Sequence, residues 1–383
     1  MNRKQFLTVL AALAIIGGAG LVLIHRANEV WVAGEAKAGD LVLPGFPIND
    51  VAVIHVQGNG NDFHVIHTND VWRVRERDDY PADFALIRDF LLKVRDLKVI
   101  QSDIIGPTEL SRLDLEPPEC ETNSATLVEF EDQQGKLLAS LLVGKKHLRP
   151  RNGSEPLGLH GLFDGCYVLL PRDLHNALLV SDDLAAASPE PGLWLSQDFF
   201  KAQNIRFLSV ASPNAADSWE ISRADDSSRW RLDRPTAGEN LDATVASDMT
   251  EILEFPSFDD VAPKTGEALS NQGFDKPVVI TALTDHFAYT LKVGRMEPNG
   301  EYSITVNVAG SIPETEPDAT DLRAKLAREQ ALTPWIFEAG HWVQRLINAR
   351  SSLLQPVGAA PKPLKNRRVV ACATGFAEIC NGQ

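Results

Sequence analysis

Apolar and polar residues alternate in short runs along most of the chain. Runs such as "DVAVIHV" (50–56) and "NIRFLSV" (204–210) alternate at period two, which is typical of strands with one buried face. Between Ile87 and Leu97 the apolar positions step instead by four, three and three, which predicts one face of an α-helix. Because short turns join the strands, the pattern predicts an α+β fold of mostly antiparallel sheet with packed helices.

The same pattern occurs twice. Trp72 of "VWRV" matches Trp230 of "RWRL", and the helical stripe follows at the same offset. "LSRLDLEPP" (110–118) then matches "LSNQGFDKP" (269–277). Because the similarity keeps its order through six elements, we expect two tandem repeats. Each is predicted to contain a strand hairpin, a third strand with Trp, a helix, an extended connector and a second hairpin.

Local signals place some of these elements. The second hairpins are expected at 126–144 and 278–294, where strand patterns flank short polar turns. Each predicted helix follows an aspartate, Asp83 or Asp242, at the position of an N-cap. We therefore expect the helices to begin directly after these two residues.

An uncharged, mostly apolar run extends from Gln5 to Ile24, with Arg3 and Lys4 before it. About 20 such residues cross a bilayer core, whereas the apolar core of a cleaved signal has about 7–15. We therefore predict an uncleaved transmembrane helix over 6–24, with a cleaved signal as the alternative. A signal-like start favours a bacterial inner-membrane protein with a single span and the bulk of the chain in the periplasm.

These patterns divide the chain into seven segments. The predicted boundaries are a membrane anchor at 1–28, a spacer at 29–50, a first repeat at 51–180, a connector at 181–203, a second repeat at 204–310, a linker with C-terminal helices at 311–355, and a flexible tail at 356–383. Helices are expected near Leu322–Gln330 and Gly340–Leu354.

Charge and cysteine content narrow the classes of partner. The net charge of −15 argues against nucleic acid, because phosphate binding needs a basic face. The four cysteines contain no CxxC motif, so we expect no structural zinc site. Free cysteines and one or two disulfides both remain open, and the residues concerned are Cys120, Cys166, Cys372 and Cys380.

Three groups of residues near the first hairpin are candidates for a chemical site. "GNGNDF" (58–63) lacks the third glycine of a dinucleotide-binding fingerprint and is predicted to be a hairpin turn. Three histidines lie beside this turn and could form a zinc site: His55, His64 and His67. Positions 64 and 67 face opposite sides of a strand, so we interpret the three as solvated surface residues rather than metal ligands. The acidic residues Asp78, Asp79 and Asp83 lack the ligand spacing of a calcium loop.

A fourth group contains a cysteine. "HGLFDGCY" brings His160, Asp164 and Cys166 together near His147, which is compatible with a Cys–His nucleophile pair. A glycine-rich hairpin loop is the favoured interpretation. Trp72 and Trp230 are interpreted as core residues rather than sugar platforms. The sequence thus predicts no catalytic, cofactor-binding or metal-binding residues, no cofactor, and a protein that is not an enzyme.

Several of these stretches also resemble a known family. "LLVGKK" (141–146), "LWLSQDFFKAQNIRFLSV" (193–210) and the Leu-Asp-x-x-Pro turn are similar to the domain-of-unknown-function family four-three-four-zero, over roughly 45–355. The resemblance implies a bacterial protein anchored at its N-terminus and encoded beside ABC transporter subunits of the gliding-motility type. It implies no catalytic residue. The second copy lacks "GKK", so the resemblance assigns no role to Lys145 or Lys146.

Sequence and resemblance together favour a non-enzymatic, membrane-tethered extracytoplasmic protein, an accessory or scaffold component of an ABC-transporter-type envelope complex. The alternative is an extracytoplasmic ligand-binding or hydrolytic protein with a site between the two repeats. The expected contact surfaces are the sheet edges and the groove between the repeats. The C-terminal segment with Trp335 and Trp342 is a second candidate, but packing back on its own domain is the favoured interpretation for it.

Overall fold

The computed structural model has an α+β fold with two mostly antiparallel sheets and few helices, which confirms the predicted class. It describes residues 37–120, 122–148, 163–235, 239–262 and 273–355. The predicted anchor at 6–24, the tail at 356–383, His160, Cys372 and Cys380 lie outside these residues. Among the residues described, no helix has the length and apolar character needed to cross a membrane.

The first sheet has nine strands in the order β4-β3-β2-β1-β6-β7-β8-β9-β5. All neighbouring strands pair antiparallel. The strands are β1 Val53–Gly58, β2 Asn61–Thr68, β3 Val71–Val74, β4 Tyr80–Pro81, β5 Val99–Ile104, β6 Thr126–Glu131, β7 Leu137–Leu148, β8 Phe163–Leu170 and β9 Asp173–Val180.

The second sheet has eight strands in the order β12-β11-β10-β15-β16-β17-β18-β14. They are β10 Phe207–Ala211, β11 Trp219–Ser222, β12 Arg231–Leu232, β14 Asp260–Ala262, β15 Val278–Leu283, β16 Phe287–Met296, β17 Tyr302–Gly310 and β18 Ile336–Ala339. Two short strands, β13 Asn240–Leu241 and β19 Leu354–Gln355, pair with each other beside this sheet.

The two strand orders correspond position by position, from β3 and β12 at one side to β5 and β14 at the other. Registers correspond as well: Val56 lies opposite Phe63 in the first hairpin, and Val210 lies opposite Trp219 in the second sheet. The tryptophans of the third strands, Trp72 and Trp230, are both buried, as the sequence predicted.

Six α-helices are described. They are α1 Phe84–Arg95, α2 Pro107–Arg112, α3 Ala243–Ile252, α4 Ala319–Gln330, α5 His341–Ile347 and α6 Arg350–Leu353. The apolar stripe of α1 is buried in the main core, and its residues Ile87, Phe90 and Val94 are almost fully inaccessible. The C-terminal helices fall where the sequence predicted them.

The predicted N-caps are confirmed. One carboxylate oxygen of Asp83 accepts hydrogen bonds from the backbone N–H groups of Ala85 (2.8 Å) and Leu86 (3.1 Å). Asp242 does the same for Thr244 and Val245 at the start of α3. Each aspartate thus satisfies N–H groups that the first turn of a helix leaves without an internal partner.

Substitution Asp83→Ala is therefore expected to lower the free energy of unfolding by about 1 kcal/mol. The matched control is Asp89→Ala, which removes an exposed carboxylate from the same helix and should change stability by less than about 0.5 kcal/mol. Urea unfolding of the full chain in detergent measures both. Equal effects of the two substitutions would contradict the capping role.

The prediction that an extended connector follows the first helix is wrong in one part. It contains the edge strand β5 and the short helix α2, whose last residues belong to "LSRLDLEPP". The chain after α2 packs on Gly144 of β7, where a Cβ atom would lie 2.5 Å from the carbonyl oxygen of Leu113. The two recurring motifs, Leu-Ser-x-x-x-x-x-x-Pro and Val-Gly, therefore meet in space in the first sheet.

Two other segments differ from expectation. The Gly-rich stretch around Cys166 was predicted as a hairpin loop, but 163–170 forms strand β8, paired with both β7 and β9. Strand β18 comes from the segment predicted to hold only a linker and helices, and it joins the second sheet beside β17. Strand β18 pairs with β14 and β17, from which other elements separate it in the chain, so local patterns do not reveal it. Strand β8 pairs instead with β7 and β9, the strands directly before and after it, and its glycines concealed a local hairpin signal.

Candidate functional site

The connector between the two sheets packs against both of them. A 3-10 turn at Pro191–Trp194 inserts Trp194 fully into the core, edge-on to Phe63 (6.2 Å) and Phe90 (5.5 Å) of the first sheet and its helix. The indole N–H of Trp194 donates to the Ser188 carbonyl oxygen (3.0 Å). On its other side the turn approaches β14 so closely that a Cβ atom on Gly192 would lie 2.2 Å from the Asp259 carbonyl oxygen.

Aromatic side chains fill the contact between the two sheets. Tyr80 of β4 has its ring 4.9 Å from Trp335, 5.7 Å from Phe258 and 5.8 Å from Phe337. Trp335 also donates its indole N–H to the Asp78 carbonyl oxygen (3.2 Å). Burial raises the pKa of Tyr80, so its hydroxyl stays neutral. Packed aromatic rings therefore fill the predicted groove between the repeats around Tyr80.

Beside these rings lies an ion pair that links the two sheets. Arg77 donates two hydrogen bonds to the carboxylate of Asp260, at 2.7 and 2.8 Å. Burial, together with the charges of Asp260 and Glu301, raises the pKa of Glu338 to about 7. Burial and the charge of Asp259 raise the pKa of Glu301 as well. One arginine of the first sheet thus faces a group of carboxylates on the second.

The residues of the candidate Cys–His pair are not arranged for nucleophilic catalysis where the structure describes them. Cys166 is fully buried and donates its thiol to the Asp182 carbonyl oxygen (3.3 Å). Burial raises the pKa of this thiol to about 12, and the charges of Asp182 and Asp183 add to the shift. His147 forms its hydrogen bond with Asp164 (2.7 Å). Since the thiolate is the nucleophilic form, Cys166 is held in its unreactive state.

Two of the three histidines near the first turn come together. Asn59 and Gly60 form a two-residue turn with φ of +50° and +77°, as predicted for this hairpin. The turn places His55 directly opposite His64, and their rings stack with centroids 4.5 Å apart. His67 lies away from this pair and stacks on Trp72 (5.0 Å).

Carboxylates surround the paired rings. His55 contacts Asp62 through Nε2 (2.8 Å) and Glu129 through Nδ1 (3.1 Å). The Nδ1 of His64 lies 2.9 Å from a carboxylate oxygen of Glu76, whose other oxygen accepts the His64 backbone N–H (2.7 Å). Burial opposes protonation of His55, but its hydrogen bonds to Glu129 and Asp62 outweigh this effect and raise its pKa.

Sequence reasoning compared positions 64 and 67 and missed the pairing of 55 with 64. The signal was present in the turn. A two-residue turn at Asn59–Gly60 fixes the register, so that partner positions in the hairpin always sum to 119. The position of the turn is therefore enough to pair His55 with His64.

An apolar groove of about 540 Å³ opens at the end of the first sheet. The loop before β1, the start of β7 and the turn between β8 and β9 form its walls. Its apolar lining includes Leu43, Phe46, Pro47, Leu137, Leu138 and Leu170. Leu137 is 50% exposed, and Arg172 is the basic residue of the lining. The groove therefore offers solvent-accessible apolar surface with a single positive charge.

A smaller cavity of about 230 Å³ lies between the connector and α4. Its buried carboxylate, Glu329, accepts hydrogen bonds from the Lys201 backbone N–H and the Tyr289 hydroxyl, both at 2.9 Å. Lys325 lies 3.8 Å from the same carboxylate. These contacts satisfy Glu329 and tie α4 to the second sheet, so the cavity has a structural explanation.

The apolar groove, the sheet junction and the histidine pair are the features of the described chain on which a functional proposal can rest. The resemblance drawn from the motifs stays a prediction. The chain was compared with models of protein families, with curated proteins and with solved structures, and none of them matches it.

Proposed function

We propose that this chain is a non-enzymatic, membrane-tethered extracytoplasmic protein that acts as an accessory or scaffold component of an ABC-transporter-type envelope complex. We further propose that its extracytoplasmic part consists of two tandem copies of one α+β unit. The corresponding strand orders and the shared registers of the two sheets support the duplication. The resemblance to family four-three-four-zero supports the type of complex.

The observation that carries a docking role is the apolar groove at the end of the first sheet. Contiguous accessible apolar surface is typical of protein contact sites, whose centres are depleted in charge. Two of its three walls are part of the nine-stranded sheet or attached to it, because β7 is one of its strands and the turn after β8 joins two others. It therefore offers a preformed place for a partner segment, with little ordering cost on this side.

The position of the groove along the chain favours a partner in the membrane. One wall, at residues 43–47, follows the predicted anchor in the chain. At about 3.5 Å per residue, the 19 residues from His25 to Leu43 span at most roughly 65 Å. A tethered groove thus stays within reach of proteins embedded in the same membrane. We propose that its occupant is a membrane-proximal segment of a transporter subunit, with an apolar face and a carboxylate that pairs with Arg172.

Substitution Leu137→Glu tests this role, because it puts a charge into the groove from an already exposed position. Leu137→Glu should lower the amount of an integral-membrane transporter subunit that co-purifies from detergent-solubilised membranes by at least about tenfold, as expected for a central contact residue. The control Phe255→Glu changes another exposed apolar residue, 74% accessible, on the second half of the chain. It should leave co-purification unchanged.

A photoreactive amino acid at position 137 identifies the occupant directly. We expect its crosslinks, analysed by mass spectrometry, to fall on an extracytoplasmic segment of an integral-membrane subunit. Crosslinks only to soluble proteins, or equal loss of partner in both glutamate variants, would contradict the proposal. A reporter fused after residue 50 tests the tether separately, since activity on the cytoplasmic side would contradict the extracytoplasmic placement.

The alternative of a ligand-binding or hydrolytic site between the repeats has less support. The junction is packed with the rings of Tyr80, Trp335 and Phe337, and its polar part is the ion pair of Arg77 with Asp260. These contacts explain the residues there as structural.

A further inference from the structure

A polar row crosses the outer face of the first sheet. His64 of β2 pairs with His55 of β1, His55 pairs with Glu129 of β6, and Glu129 pairs with Ser140 of β7. Neighbouring positions on these strands, such as Phe63, point to the opposite face and are buried in the core. The four aligned side chains therefore lie together on the side of the sheet away from the core.

Three side chains at one end of this row converge. His55, Asp62 and His64 each offer one potential ligand atom, and these atoms all lie within 4.8 Å of one another. Asp62 shares the face with His64 because the two are two positions apart on β2. The fixed register of a short hairpin holds the backbones of these residues together. Because the two rings stack in nearly parallel planes, 7° apart, one ring has to rotate for both to face the same ion.

One nitrogen of each ring already has a carboxylate partner. Nδ1 of His55 is bonded to Glu129, and Nδ1 of His64 is bonded to Glu76. Histidines that bind metals nearly always donate their second ring N–H to a carboxylate or carbonyl group, which fixes the ring and increases its basicity. Each ring here has a carboxylate at Nδ1. Nε2 of His64 is then the nitrogen for a ligand, and Nε2 of His55, which lies 2.8 Å from Asp62, binds an ion when the ion replaces that hydrogen bond.

The second sheet shows that the fold does not need these residues. In the second sheet, Ser209 takes the position of His55 and Glu220 takes the position of His64. Thr281 takes the position of Glu129. Glu220 there forms an ordinary salt bridge with Arg234, at the place of the Glu76–His64 contact. A sheet of the same strand order is thus completed with one exposed ion pair, and the histidine pair belongs to the first sheet alone.

We propose that His55, His64 and Asp62 bind a divalent late first-row transition-metal ion, with Glu129 and Glu76 as positioning residues. Two imidazole nitrogens and one carboxylate oxygen form a donor set suited to Zn²⁺ and its neighbours, and poorly suited to Mg²⁺ or Ca²⁺. The ion takes the position of the proton that His55 shares with Asp62. The inference does not depend on the proposed docking role, because groove and histidine pair share no residue.

Three protein ligands leave room for a further one. Asp62 is more than half exposed, so the site is open to solvent. An open site of this type accepts a water molecule or a side chain from a partner.

Titration of the full chain in detergent with Zn²⁺ by isothermal calorimetry tests the proposal. We expect the wild type to bind one Zn²⁺ ion per chain, and we expect this binding to be lost when the site is mutated. His64→Ala should lower the affinity by more than about 100-fold, since removal of an outer carboxylate alone typically costs about 10- to 100-fold. Glu76→Ala removes such an outer carboxylate and should lower the affinity for Zn²⁺ by about 10- to 100-fold. The matched control is His67→Ala, which removes a histidine from the same strand that lies outside the cluster and should leave the affinity unchanged.

Two measurements keep the result decisive. Asp62→Asn alters an exposed side chain that the core does not contain, so it tests the site even if a histidine variant is misfolded. Thermal unfolding with and without Zn²⁺ should show stabilisation of the wild type and of His67→Ala, and none of His64→Ala. The proposal is overturned if the wild type binds no Zn²⁺, or if His64→Ala and Asp62→Asn bind as tightly as His67→Ala.

Discussion

Trp194→Ala is expected to lower the free energy of unfolding by about 3–5 kcal/mol, the largest effect predicted for a single substitution in this chain. The side chain is fully buried, and its ring contacts Phe63 and Phe90. Its removal leaves a cavity in the core of the first sheet and takes the indole donor from the Ser188 carbonyl oxygen. Since typical domains are stable by only about 5–15 kcal/mol, the loss is a large part of the total.

Urea unfolding of the full chain in detergent measures this loss, and Phe255→Ala serves as control. Phe255 is 74% exposed, so its truncation should change stability by less than about 0.5 kcal/mol. A decrease for Trp194→Ala that does not exceed the control would mean that the connector does not pack into the first sheet.

The effect has a second consequence for the arrangement of the chain. The carbonyl oxygen of Trp194 accepts the backbone N–H of Asp83, the N-cap of α1 (2.8 Å). The same turn touches β14 through Gly192. The connector is therefore part of both cores, and its loosening should weaken the helix start as well as the contact between the sheets.

Sequence patterns predicted well those elements whose signal is local. The turn at Asn59–Gly60, the hairpins at 126–144 and 278–294 and the N-cap Asp83 depend on residues next to one another, and the structure has each of them. Strand β5 has no such signal, because only Val99 among its residues is buried and its period-two alternation is lost. Its place at the sheet edge is set by pairing with β9, about 75 positions later.

The candidate sites follow the same rule. The pairing of His55 with His64 could be calculated from the turn, but the contact of His55 with Glu129 could not, because it joins residues 74 positions apart. The apolar groove combines three separate segments of chain, so no stretch around Leu43 or Leu170 indicates it. Trp194 was part of a recognised motif, and its depth in the core depends on how the connector crosses both sheets.

The carboxylates at the sheet junction make stability depend on pH. Glu338 of β18 is surrounded by Asp260 and Glu301, with Arg77 as the cation that faces them. In the unfolded chain its pKa has the ordinary value of 4.5, and in the folded chain burial and the neighbouring charges raise it to about 7. Between these pH values the folded chain binds more protons than the unfolded chain. The contribution of Glu338 to stability is therefore present below about pH 4.5 and is lost as the pH rises through 7.

Glu338→Gln should remove this pH dependence, because an amide keeps the size of the side chain and cannot ionise. At pH 8 the variant is expected to be more stable than the wild type by about 1–3 kcal/mol, whereas at pH 4.5 the two should be nearly equal. Urea unfolding at a series of pH values measures the difference, and Glu251→Gln, at an exposed position on α3, is the matched control. Parallel pH profiles of the wild type and Glu338→Gln would show that the ionised carboxylate is well accommodated at the junction. If the stability of the wild type instead falls below that of Glu338→Gln above about pH 5, ionisation of Glu338 destabilises the fold. The cause would lie in this cluster, where one arginine from the first sheet faces several carboxylates of the second.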